Sequence, residues 1–127
     1  MLELLLSTHC IADFFLQSNW MALKKGENSW EGIRALTLHV LIYSLCFLWM
    51  GLTFVALTAI THWLTDFVTS RLTKRWWFLD SYCEEPASGH LMVELNPRKR
   101  VLFWRTIGVD QWIHAITLLQ IARYLNG

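Results

Sequence analysis

Between Arg34 and Asp66 the chain carries no Asp, Glu, Lys or Arg, and apolar residues fill most of the interval. A membrane helix needs about 20 mainly apolar residues, so this stretch and its continuation can supply two. Gly51 permits a tight break between them. The pattern therefore predicts a helical hairpin over 29–50 and 52–72. One uninterrupted helix of more than about 40 residues would overshoot a hydrocarbon core of roughly 30 Å.

An earlier span, 2–23, is interrupted mainly by Glu3, His9, Asp13 and Gln17. It has neither the basic start nor the clean apolar centre of a signal peptide. "KKGENSWEGIR" is a polar turn in which Asn28 and Glu31 resemble a capping box, starting the next helix near Ser29. Asn96-Pro97 opens a last helix, 97–125, and Asn126-Gly127 suits its end. The intervening 73–96 is a polar loop. Within it "KRWWF" has the make-up of an interface anchor, and "HLMVEL" suits a short strand or a segment lying on the membrane surface. The expected fold is one all-α domain over 1–127, a four-helix transmembrane bundle. A soluble bundle is the alternative, because the first and last helices are amphipathic.

Composition sharpens this picture. The chain is 17% charged and 54% hydrophobic, against about 25% charged in soluble domains. Its net charge of +1 suggests no nucleic-acid partner. The basic residues are one-sided: Lys24, Lys25, Arg34, Arg71, Lys74, Arg75, Arg98, Lys99 and Arg100 lie at the two polar loops, with only Arg123 at the other side. By the positive-inside rule both termini face the non-cytoplasmic side of a multi-pass protein of the cell inner membrane. Three cysteines without C-x-x-C imply neither a disulfide framework nor a zinc knuckle; Cys10 and Cys46 read as small buried hydrophobes, and His90 as a solvated loop residue.

The polar residues inside the spans carry the chemistry. Residues four apart share a helix face, so His9, Asp13 and Gln17 form one stripe, His62 and Asp66 another, and Asp110 and His114 a third, with Gln111 beside them. The second helix adds His39. Counted from the outer ends of their spans, Asp13, His39, His62 and His114 lie ten or eleven residues in, roughly 15–17 Å deep and near mid-bilayer. An ionised Asp there costs at least about 2.5–3.5 kcal/mol if unpaired. The plain reading of one such pair is a buried hydrogen-bonded contact. Three pairs and a fourth helix's His at one depth point instead to metal or proton chemistry. His and carboxylate suit a divalent metal, zinc first, as one ion with supporting carboxylates or as two. The candidate ligands are His9, Asp13, His39, His62, Asp66, Asp110 and His114, with Gln17 and Gln111 behind them as interhelical hydrogen-bonding groups.

"HCIADFFLQSNW", His39, "HWLTDF" and "DQWIH" follow one another in that order. This combination resembles a family of small integral-membrane proteins of bacteria and their phages, catalogued as a domain of unknown function. The resemblance spans nearly the whole chain. It implies an all-helical membrane protein and no activity. A looser likeness is to membrane-bound metal-dependent hydrolases with His and Asp on membrane helices.

Three functions follow as expectations. The first is a metal-dependent hydrolase acting on a lipid or lipid-linked substrate. The second is a metal-ion or proton carrier, which with four helices would require a homo-oligomer. The third is a structural or partner-binding membrane protein. Bis-His haem ligation is disfavoured by the excess of Asp.

Overall fold

The computed structural model describes residues 1–76, 79–84, 91–95 and 97–126, with side chains over 1–76 and 98–125. The fold is helical. Its α-helices are α1 (Leu2–Cys10), α2 (Asn19–Lys24), α3 (Trp30–Leu45), α4 (Leu52–Arg75) and α5 (Pro97–Asn126). Between α4 and α5 an antiparallel hairpin pairs β1 (Leu79–Glu84) with β2 (Leu91–Leu95). The expected features at Trp77, Phe78, His90, Asn96 and Gly127 lie outside the described residues.

The expected single helix over 2–23 is broken in two. After α1 the chain widens into a π-helical turn, Ile11–Phe15, closed by the Leu16 N–H donating to the Ile11 carbonyl at 3.1 Å. Ser18 is then extended, and its hydroxyl accepts from the Met21 N–H at 3.3 Å to cap α2. π-Bulges re-aim side chains and recur at functional sites. Here the turn contains Asp13 and buries it.

The second helix also differs at both ends. Its N-cap is Ser29, whose Oγ accepts from the Gly32 N–H at 3.1 Å, rather than Asn28. Asn28 instead accepts from the Arg71 Nε at 2.8 Å. The helix stops at Leu45, followed by a 3-10 turn (Leu48–Met50) and Gly51 at φ +96°. That left-handed backbone is why a glycine stands at the hairpin's corner.

α4 packs against α3 and α5, α3 against α2, and α1 against α5. On the Gly51 side, Leu5, Tyr43, Phe47, Phe54, Leu118 and Ile121 form an apolar plug. Large apolar side chains such as Leu41, Leu45, Ile60, Leu64, Val68 and Trp112 face outward. Among the described residues α4 alone is long and apolar enough, by length and composition, to cross a membrane. Cys10 is exposed and Cys46 half-buried, so the first is not the buried hydrophobe its setting suggested.

The 24–29 turn closes tightly onto α4. A Cβ added at Gly26 would lie 2.6 Å from the Ser70 carbonyl oxygen. Gly26→Ala is therefore expected to push the turn off α4 and destabilise the fold by about 1–3 kcal/mol. A Cβ at Gly108 meets nothing within 4 Å, so Gly108→Ala in α5 should be neutral or stabilising by up to about 1 kcal/mol. Chemical unfolding in mixed micelles compares the two; equal effects would contradict the packing at Gly26.

Candidate metal centre

Four segments converge beneath the apolar plug. The π turn supplies Asp13, α3 His39, α4 His62 and Asp66, and α5 His114; all five are buried. His39 Nε2 lies 3.0 Å from Asp13 Oδ1 and 3.2 Å from His62 Nε2, and His62 Nε2 lies 3.5 Å from Asp13 Oδ1. A tetrahedral metal with bonds of about 2.0–2.1 Å has ligand–ligand edges of about 3.3 Å. The triangle therefore has the dimensions of one face of such a site. Asp66 Oδ2 adjoins it, 3.5 Å from His39 Nε2 and 3.8 Å from His62 Nε2.

A second group able to hold a metal ion is His62, Asp66 and His114, sharing His62 with the first. His114 Nε2 lies 3.0 Å from Asp66 Oδ1 and 3.2 Å from Asp110 Oδ1. The His62 and His114 rings stack at 3.9 Å, 16° from parallel. Stacked rings aim their nitrogens alongside one another more readily than at a common point. The Asp13–His39–His62 triangle is thus the better-formed site.

The chain matches the family model of DUF3307, a protein family of unknown function, over residues 1–126. It belongs to that family. No curated protein and no solved structure matches it.

Not every expected ligand of this DUF3307 member joins the centre. His9 and Asp110 fall outside both groups. Instead His9 Nδ1 bonds the Tyr43 hydroxyl at 2.9 Å and Nε2 the Gln111 Oε1 at 3.1 Å. Gln111 bridges the rest: its Nε2 donates to Asp13 Oδ2 and, at 3.3 Å, to Asp110 Oδ2. Asp110 also accepts from the Thr69 hydroxyl. Gln17 makes no such link; its Oε1 is buried with no hydrogen-bond partner among the described residues.

Two residues of the centre escaped the sequence reading. Lys25 reads in sequence as an orienting loop charge, yet it turns inward, and its Nζ donates to Asp66 Oδ2 at 2.8 Å. Burial pushes its pKa down, but the Asp66 and Asp13 carboxylates outweigh this and hold it above the ordinary lysine value. Nothing in "KKGE" separates Lys25 from Lys24. Tyr43, by contrast, had a signal: it follows His39 by four residues on α3, as Asp66 follows His62.

On the loop side of the centre lies a cavity of about 780 Å³, within the range of small-molecule sites. Asp13, Asp110 and Gln111 line it, Lys24, Lys25, Glu27 and Lys74 supply charge, and Phe14, Leu23, Phe103 and Ile107 give apolar wall. Phe14 and Leu23 are exposed, so this wall continues onto the outer apolar surface.

Proposed function

We propose that this DUF3307 chain is a multi-pass membrane protein of the inner membrane, with both termini non-cytoplasmic. Its centre binds one divalent metal ion, zinc first, and it hydrolyses a lipid or lipid-linked substrate. The observation that carries the metal is the meeting of His39 Nε2, His62 Nε2 and Asp13 Oδ1 within 3.0–3.5 Å of one another. Two imidazole nitrogens so close need a cation or proton between their lone pairs.

A single well-formed triangle supports one ion where the sequence allowed one or two: the second group shares His62 with it, and its His62 and His114 rings are stacked. The membrane reading is supported by the distribution of side chains. His9, Asp13, His39, His62, Asp66 and His114 are inside while Leu41, Leu45, Ile60, Leu64, Val68 and Trp112 face out. Buried ionisable groups beneath a broad apolar exterior are what a membrane bundle needs.

Bound there, the metal would activate a water and polarise a phosphoryl or carbonyl oxygen. Asp110 is suited to general base: it lies outside both ligand groups, is 14% exposed and lines the cavity. The Thr69 hydroxyl and the Gln111 amide hold it in place. A substrate head group would sit in the cavity, with its apolar chain leaving past Phe14 and Leu23. The carrier reading has less support, because the apolar plug covers the opposite side of the centre.

The test is phosphate release from phosphorylated lipids by zinc-loaded protein in mixed micelles. Asp110→Asn should lower kcat by about 10²–10⁴-fold with zinc content unchanged. Full turnover in that variant, or zinc flux into liposomes without any lipid hydrolysis, would overturn the assignment.

A further inference from the structure

Opposite the large cavity, on the plug side of the centre, is a pocket of about 10 Å³ bounded by Tyr43, Thr58, Thr61, His62, His114 and Thr117, among others. That is about the room one water needs, provided polar partners surround it. They do. His62 and Thr58 both line the pocket, and at 2% and 3% exposure both are buried. His62 Nδ1 and Thr58 Oγ1 have no hydrogen-bond partner among the described residues. They lie four apart on α4, one above the other. The Thr61 and Thr117 hydroxyls donate to the Leu57 and Ile113 carbonyls, at 2.9 and 2.7 Å, leaving their oxygens able to accept.

We propose that this pocket holds one ordered water, which accepts from His62 Nδ1–H and donates to Thr58 Oγ1, making Thr58 a positioning residue for His62. The water's second proton goes to the Thr61 or Thr117 oxygen. The proposal rests on reading the centre as a metal site, and it completes that reading. A ligating imidazole normally donates its other ring N–H to a fixed partner, which sets the tautomer and the ring orientation. With the proton held at Nδ1, the Nε2 lone pair of His62 points at Asp13 and His39. No side chain of the described residues does this for His62, so the water and Thr58 do.

The test uses the full chain in detergent, with zinc affinity read by chelator competition and histidine tautomers by ¹⁵N NMR on the metal-free protein. Thr58→Val keeps the shape and removes the hydroxyl; it should weaken zinc binding about 10–100-fold. Thr58→Ser should restore binding to within a few-fold. Metal-free thermal stability measured alongside separates a general packing defect, which would leave zinc affinity unmoved. Thr58→Val binding zinc like the parent, or Thr58→Ser no better than Thr58→Val, overturns the proposal. If the parent itself binds no zinc, the metal reading fails, and the tautomer then decides the water. Nδ1-protonated His62 that becomes mixed in Thr58→Val supports it, whereas an Nε2-protonated His62 in the parent overturns it.

Discussion

Asp66→Ala is expected to destabilise the fold by about 3–5 kcal/mol, the range for removing one partner of a buried ion pair. Asp66 is the hub of the centre. Its Oδ2 accepts from Lys25 at 2.8 Å and lies 3.5 Å from His39, while its Oδ1 faces His114 at 3.0 Å. Truncation leaves the Lys25 ammonium turned inward with its closest counter-charge gone. The loss should be specific to that stranded charge. Lys25→Met combined with Asp66→Leu removes both charges, and apolar replacement of a whole buried pair is often neutral or better. The double variant should therefore recover most of the loss. Denaturant titration in mixed micelles measures this directly. A double variant as unstable as Asp66→Ala would show that Asp66 acts through packing or through the histidines and not through Lys25.

His62→Ala and His9→Ala should separate widely in metal affinity. His62 contributes Nε2 to the triangle, 3.2 Å from His39 Nε2. Among the described residues, the His9 ring nitrogens bond only Tyr43 and Gln111. Losing a residue that merely orients a ligand costs about 10–100-fold. His62→Ala should exceed that, and His9→Ala should stay within it, since Gln111 still bridges to Asp13. Isothermal titration with zinc ranks them. Equal losses would place His9 among the ligands and contradict its position behind Gln111, outside both ligand groups.

Much of the centre was legible because helical periodicity carries information from residue to residue. The i, i+4 pairs His62/Asp66 and Asp110/His114 do share faces, and apolar runs located α3, α4 and α5. The first helix differs from expectation for the same reason. A strict 3.6-residue period predicts one helix over 2–23, and the π turn at Ile11–Phe15 breaks it. Ser18, a good N-cap residue before Asn19, was the only local sign of the break. The early stop of α3 at Leu45 had no polar marker either. A run as apolar as 45–50 hides a 3-10 turn, because burial pattern does not register backbone winding. Lys25 was out of reach for a different reason. Its inward turn depends on how closely the 24–29 segment approaches Ser70, a tertiary fact that only Gly26 hints at. Composition and basic-residue asymmetry argue for lipid. The distribution of buried His and Asp under outward-facing Leu, Ile and Trp adds to that case without depending on helix length.

The most direct measurement is elemental analysis of the protein purified from metal-replete cells, alongside His39→Ala. About one zinc, manganese or iron ion per chain is expected, with little left in the variant. A parent protein that is folded, free of metal and unable to take up zinc on titration would contradict the proposed centre.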